Sequence, residues 1–246
     1  MTENLHKLLE QPRETVTVAS YQPGTADIDA PGEGPATDVV PRRIPISKRA
    51  LDIVMALLGL LLSAPLWLIL AIAIKLDDRG PVFYKQKRWG RGGHVFSLLK
   101  FRTMVADSDS RFGIKVATQD DDRVTRVGRV LRATGMDELP QFLSILRGDM
   151  SFVGPRALAV GEIVDQGDGT PLIYEAVPGF TRRLEVQPGL TGLATIYLPK
   201  DASPARKVEY DIRYIEEWSF RGDLKLILLS FWISVRGKWE TRQDKY

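Results

Sequence analysis

Ile53-Val-Met-Ala-Leu-Leu-Gly-Leu-Leu-Leu-Ser63-Ala-Pro65-Leu-Trp-Leu-Ile-Leu-Ala-Ile-Ala-Ile74 decides how the chain is read. Nineteen of these 22 residues are apolar and none is charged, the exceptions being Gly59, Ser63 and Pro65. About 20 such residues suffice to cross a bilayer as a straight helix. Pro65 sits in the middle, where it removes a backbone hydrogen bond and bends a helix. Ser63 is placed to satisfy carbonyls that the bend frees. Both flanks are basic: Arg42, Arg43, Lys48 and Arg49 precede the segment, and Lys75, Arg79, Lys85, Lys87, Arg88 and Arg91 follow it. The positive-inside tendency then puts both ends in the cytoplasm. Each half has about ten residues, roughly 15 Å of helix and about half the hydrocarbon thickness. A helix that enters, turns at Pro65 and returns to the same face satisfies all of this. Residues 46–76 are therefore read as a re-entrant membrane helix, in preference to a bent full span or a very apolar core helix.

Residues 1–45 differ in kind. They carry seven acidic and four basic side chains, and from Gln11 to Pro45 there are six prolines, three glycines and no apolar period. Such a stretch buries too little surface to offset its ordering entropy, and it reads as a disordered N-terminal tail. It has no apolar core of a secretory signal. The whole chain of 246 residues has 34 Lys and Arg against 31 Asp and Glu, a net charge of +3. That balance gives no case for nucleic acid. The absence of cysteine excludes disulfides, thiol nucleophiles and cysteine-ligated metals. With only His6 and His94, a His-rich metal site is excluded as well. Chemistry falls to carboxylates, lysines, arginines and hydroxyls.

After the apolar segment, Pro81-Val-Phe-Tyr and Val95-Phe-Ser-Leu-Leu read as two strands turned by Gly90-Arg-Gly-Gly. Val124, Val127 and Leu131 mark a helix ended by Gly135, and Leu139, Phe142, Leu143 and Leu146 a second, with Pro140 in its first turn and Gly148 at its end. Val208, Ile212 and Ile215 mark a third. Residues 223–235 form a fourth, whose Trp232 and flanking Arg236, Lys238 and Trp239 suit the membrane interface as well as a buried core. The fold class is α/β, mainly α: a re-entrant helix joined to a small cytoplasmic domain over residues 77–240, with a β-hairpin and amphipathic interfacial helices.

Asp137-Glu138 stands between two helices, where a carboxylate or a phosphate feels the positive end of the second. Plain capping is the commoner use of such residues. The arginines around it weigh against that. Arg123, Arg126, Arg129 and Arg132 are read into the preceding helix. Lys100 and Arg102 end a strand, Arg156 follows Gly154-Pro155, and Arg182 and Arg183 precede Gly189. Guanidinium groups match phosphate oxygens two at a time, although several of these also suit solvent or lipid headgroups. Asp120-Asp-Asp122 and Asp107-Ser-Asp109 are rival metal motifs, read as solvated; no Walker or dinucleotide glycine loop is present.

Taken together, these residues resemble the bacterial sugar transferase family, the monotopic phosphoglycosyl transferases, from about Lys48 to about residue 238. The resemblance rests on ordered blocks: Lys48-Arg-Ala-Leu-Asp52, Gly80-Pro-Val-Phe-Tyr-Lys-Gln86, Lys100-Phe-Arg-Thr-Met104, Asp137-Glu-Leu-Pro-Gln141, Gly148-Asp-Met-Ser-Phe-Val-Gly-Pro-Arg156, Pro188-Gly-Leu-Thr-Gly192 and Asp223-Leu-Lys-Leu-Ile227. It implies a membrane helix broken near Ser63 and Pro65, Asp137 as nucleophile with Glu138 beside it, and Mg²⁺ bound near Asp137. It implies transfer of a sugar-1-phosphate from a nucleoside diphosphate sugar, a UDP-sugar by preference, to polyprenol (undecaprenyl) phosphate. A nucleoside monophosphate is released through a covalent aspartyl phosphosugar. This would be the first membrane step of glycan, exopolysaccharide or O-antigen assembly, on the cytoplasmic face of a bacterial inner membrane.

Among the cations, Arg156 and Arg132 are the first expectation for phosphate, then Lys100, Arg102 and Arg183. Membrane lipids are expected partners, nucleic acid is not, and the oligomeric state is open, a homodimer being one option. Three places depart from the family pattern: Ala64 before the proline, Ala157 in place of a second proline after Arg156, and Leu193-Ala-Thr-Ile-Tyr-Leu-Pro199 after the Pro188 block. The competing readings are a membrane-associated glycosyltransferase that moves the sugar alone and releases a nucleoside diphosphate, and a non-enzymatic membrane adaptor.

Overall fold

The computed structural model describes residues 39–106, 121–165, 170–199 and 201–235. Its longest element is a helix, α1 (Ile46–Asp78), with Pro65 inside it and not at an end. The Ser63 hydroxyl lies 3.4 Å from the Leu60 carbonyl and accepts the Trp67 indole N–H at 3.0 Å. The buried positions on α1 are Lys48, Asp52, Ala56, Ser63, Leu70 and Ile74. Their spacings of four and seven residues trace one helical face, so the helix packs on the rest of the protein from its first turn to its last. The outer face carries Leu57, Leu58, Leu61, Leu62, Leu68, Ile69 and Leu76, with Leu62 and Leu76 each 79% exposed. An aliphatic patch of that extent marks an interaction surface, for a membrane or a partner protein, and α1 is long and apolar enough to cross a membrane.

Polar groups tie both ends of α1 to one body. The Lys48 ammonium donates to Asp223 at 2.7 Å, to the Val153 carbonyl at 2.8 Å and to the Tyr214 hydroxyl at 3.1 Å. Arg49 donates to the carbonyls of Ile145 and Leu146, both at 2.6 Å. Asp52 accepts from the Phe152 N–H at 2.9 Å and from the Ser151 hydroxyl. At the other end Asp77 accepts the Val127 N–H at 2.9 Å, and Asp78 forms a two-pronged ion pair with Arg102.

The chain is attached to this body before α1 begins. Residues 1–38 of the expected tail lie outside the described residues, but 39–45 run along the domain. Val39 packs on an apolar cluster around Phe180 and Val208, the Arg42 N–H donates to the Glu185 carbonyl at 2.8 Å, and the Arg42 side chain pairs with Glu185 at 2.7 Å. Apart from Val39, hydrogen bonds and one ion pair hold this stretch, and neither leaves an apolar period in the sequence.

The two expected strands form an antiparallel hairpin, β1 (Phe83–Trp89) and β2 (Val95–Phe101), in register from Phe83 opposite Phe101 to Trp89 opposite Val95. The strands are longer than apolar alternation predicts, because the inward side of β1 is Tyr84, Gln86 and Arg88. Next come α2 (Arg126–Thr134), capped by the Thr125 hydroxyl, and α3 (Gln141–Arg147). Arg123 lies before α2 and not in it, held to Asp121 at 2.6 Å. Short strands follow: β3 (Ser151–Val153) pairs in parallel with β6 (Gly189–Thr191), and β4 (Ile163–Asp165) pairs antiparallel with β5 (Pro171–Ile173). The remaining helices are α4 (Phe180–Arg183), α5 (Leu193–Tyr197), α6 (Pro204–Glu216) and α7 (Phe220–Val235).

The protein is thus mixed and mainly helical. Helix α7 is divided between core and surface: Leu226 and Ile233 enter the core, while Leu228, Phe231 and Trp232 are exposed. The unusual stretch after Gly192 is largely core, with Ala194, Ile196 and Leu198 buried.

Removing one charge from the buried Lys48–Asp223 pair should be costly. Lys48→Met leaves Asp223 buried without its cation and is expected to destabilise the protein by about 3 kcal/mol. The double substitution Lys48→Met/Asp223→Leu should recover part of that in thermal melts.

Candidate active site

The site grows from a chain reversal. Gly135 ends α2 in the left-handed conformation (φ 71°), and its Cβ position is open space, so backbone conformation alone calls for glycine. One 3₁₀ turn, Met136–Glu138, then leads through Pro140 into α3. Met136 and Leu139, on either side of the two carboxylates, pack into a cluster with Leu66, Trp67, Leu70 and Ile74 of α1 and with Phe101. The apolar helix therefore fixes the position of Asp137 and Glu138 through their immediate neighbours.

Lys100, at the end of β2, reaches both carboxylates: its ammonium is 2.7 Å from Glu138 Oε1 and 4.0 Å from Asp137 Oδ2. Arg132 donates from Nε to the Thr103 hydroxyl at 2.9 Å, and its charge acts on Asp137. The charges of Arg156 and Arg88 act on Glu138. The two carboxylates differ. Asp137 is 13% exposed and Glu138 36%. Burial raises Asp137 to about 6, against the pull of Lys100 and with a further push from Glu138. Burial also works to raise Glu138, but Lys100, Arg156 and Arg88 outweigh it and hold that carboxyl below its ordinary value. The pair is one carboxylate at the edge of the neutral range beside one that stays charged.

The other expected phosphate ligands fall into two groups. Arg156 is exposed, and its guanidinium makes no hydrogen bond or ion pair among the described residues. Arg102 and Arg183 are committed elsewhere. Arg102 is buried against Asp78 and the Pro81 carbonyl, where it ties the end of α1 to the hairpin. Arg183 is 4% exposed, paired with Asp211 at 2.7 Å and stacked over the Tyr174 ring. The sequence reading counts Arg88 only among the basic flank of the apolar segment and places none of Arg88, Thr103 and Glu162 at the site. Arg88 stands two places after Gln86 on the inward side of β1, and that alternation was the available signal.

Asp121 is held by Arg123, while Asp107, Asp109 and Asp120 lie outside the described residues. Among the described residues no three acidic or histidine side chains converge. The hard oxygen donors of Asp137 suit Mg²⁺, which takes one or two carboxylates together with phosphate oxygens and water.

The raised carboxyl carries a stability consequence. Above about pH 6 a charged Asp137 costs the folded state free energy, and the cost fades as pH falls towards the unfolded value near 4. Asp137→Asn should therefore stabilise the ligand-free protein by about 1–3 kcal/mol at about pH 8. The gain should shrink steadily towards about pH 4 in thermal melts, with metal and substrate omitted.

Known proteins resemble this chain over most of its length. The family model of the bacterial sugar transferases matches residues 43–237. A UDP-glucose:undecaprenyl-phosphate glucose-1-phosphate transferase of Caulobacter vibrioides is 41% identical over 210 residues, covering 79% of this chain and 75% of its own. A protein of the same description from Escherichia coli is 40% identical over 188 residues, 74% of this chain but 39% of its own length. The exopolysaccharide production protein PSS of Rhizobium leguminosarum bv. phaseoli is 38% identical over 187 residues, 74% of this chain and 92% of its own. With the family model matching residues 43–237 and a 41% identical relative covered over 75% of its length, the chain belongs to the bacterial sugar transferase family.

Proposed function

We propose that the protein transfers a sugar-1-phosphate from a nucleoside diphosphate sugar to polyprenol phosphate at the membrane surface, releasing a nucleoside monophosphate. The observation that carries this reading is the Asp137–Glu138–Lys100 group, held against the apolar helix by Met136 and Leu139. A lipid-borne phosphate acceptor stays in the bilayer and a sugar nucleotide stays in water, so a reacting carboxylate serves both only at their boundary. The names of the relatives make UDP-glucose and undecaprenyl phosphate the first substrates to test, and exopolysaccharide assembly the first setting.

Asp137 attacks the phosphorus that bears the sugar. The bond from that phosphorus to the bridging oxygen breaks, the nucleoside monophosphate departs, and the phosphosugar remains as an ester of the carboxylate. A phosphate oxygen of the polyprenol phosphate then attacks the same phosphorus, frees Asp137 and leaves a polyprenol diphosphate sugar. Lys100 and Arg132 neutralise charge beside Asp137, and Arg156 offers to diphosphate oxygens a guanidinium that makes no hydrogen bond among the described residues. Glu138 stays ionised and keeps Lys100 in place. Mg²⁺, held by Asp137 and the phosphates, would supply further positive charge to the diphosphate.

The membrane helix is re-entrant in this reading. Support comes from its packing: one stripe lies on the domain from Lys48 to Ile74, and both ends are tied to that same domain. A helix so held crosses the bilayer only by drawing its partner surface in with it. The basic residues on both flanks favour the cytoplasmic side.

Incubation with UDP-glucose, Mg²⁺ and undecaprenyl phosphate should release UMP. Release of UDP would mean that the sugar moves alone and would overturn the reading. Asp137→Asn should lower turnover by at least about a thousand-fold, and Lys100→Met by about ten- to a hundred-fold, both measured as nucleotide release.

A further inference from the structure

We propose that Arg88 is a positioning residue: with Arg183 it holds the backbone on which Arg156 is presented to the substrate diphosphate. The inference rests on the reading of Arg156 given above. Three consecutive carbonyls in this turn are fixed from outside it. The Pro155 carbonyl accepts the Gly189 N–H at 2.8 Å, the Arg156 carbonyl accepts from Arg183 at 3.0 Å, and the Ala157 carbonyl accepts from Arg88 at 2.6 Å. Each clamping guanidinium is itself anchored. Arg183 pairs with Asp211 at 2.7 Å. Arg88 lies 3.7 Å from Glu162 and donates a second bond to Gln86. Glu162 in turn accepts the Ala159 N–H at 2.9 Å, closing the loop back onto the same segment.

Exposure separates the roles. Arg88 is 8% exposed and Arg183 4%, and both spend terminal nitrogens on backbone carbonyls. The Nε of Arg88 is buried and meets no acceptor among the described residues. Arg156 is exposed at its side chain while its peptide groups are pinned. Burial, with Arg156 nearby, lowers Arg88 to about 10, so it remains a cation at neutral pH. The turn leaves no slack elsewhere. A Cβ on Gly154 would fall 2.4 Å from the Gln187 carbonyl oxygen, and one on Gly189 would fall 2.1 Å from the Gly154 nitrogen, so two backbones touch directly. A single long side chain reaching into solvent is entropically costly to aim. Fixing its backbone on both sides removes the backbone share of that cost and fixes the point from which the side chain reaches the substrate.

The test is a double-substitution cycle on kcat/KM, with UDP-glucose and undecaprenyl phosphate as substrates and UMP as the product read. Arg156→Ala is expected to lower kcat/KM by about a hundred-fold, and Arg88→Met by about ten- to a hundred-fold. Arg88→Lys, which restores one bond to the Ala157 carbonyl, should recover a substantial part of that loss. In the Arg156→Ala background, Arg88→Met should cost several-fold less than it does alone, since only the pull of its charge on Glu138 is then left to lose. If Arg88→Met does not fold, Arg88→Gln/Glu162→Gln removes both charges together and takes its place in the cycle. Losses that multiply in the double variant would overturn the proposal and make Arg88 an independent contributor. Full activity of Arg156→Ala, with UMP still released, would overturn it while leaving the transfer reaction intact. UDP as the product would instead sink the functional reading beneath it.

Discussion

Lys100 stands 2.7 Å from Glu138 and 4.0 Å from Asp137, one ammonium shared by two neighbouring carboxylates. Two adjacent negative charges beside an apolar helix repel each other and lose water, so neither is comfortable there without a cation. The hairpin delivers that cation from one side. Arg132 on α2 comes from another, and Arg156 and Arg88 act on Glu138 from a third. The sharing is unequal. Glu138 takes the close contact and stays charged, while Asp137 is left more deeply buried and less fully compensated. A carboxylate in that condition gains most from a further positive partner or from forming a bond to phosphorus.

The apolar helix is part of this arrangement and not a separate anchor. Leu66, Trp67, Leu70 and Ile74 share one cluster with Met136, Leu139 and Leu131, so the depth of the helix sets the height of the carboxylates. The polar contacts at its two ends have the same effect. Lys48 and Asp52 fasten the first turns to β3 and α7, and Asp77 and Asp78 fasten the last turn to α2 and the hairpin. Moving α1 relative to the rest of the protein therefore moves the site.

How far the sequence could be read follows from which forces leave a periodic trace. The apolar run of α1, the helices that end at Gly135 and Gly148, and the spacing of Val208, Ile212 and Ile215 are all visible as hydrophobic period and turn chemistry, and each appears in the fold. The attachment of residues 39–45 left no such trace, because beyond the single apolar contact of Val39 it consists of hydrogen bonds and an ion pair to distant Glu185. Arginines are the hardest case. Their charge is legible and their partners are not. Arg102 is taken up by Asp78 and Arg183 by Asp211, whereas Arg156 stays unengaged among the described residues. Arg88 was hidden for a related reason: the inward side of β1 is polar, so the alternation that would have singled it out is not apolar alternation.

The account depends most on Asp137 bonding to phosphorus, and that is open to direct observation. The protein in detergent or membrane discs is mixed with UDP-glucose and Mg²⁺ without polyprenol phosphate, quenched in acid, and its intact mass and peptides are measured. A mass increase equal to one hexose phosphate, located on the peptide containing Asp137 and chased away by added undecaprenyl phosphate, is the predicted result. Nucleotide release and product formation with no adduct at any time point, or an adduct that persists in Asp137→Asn, would contradict it.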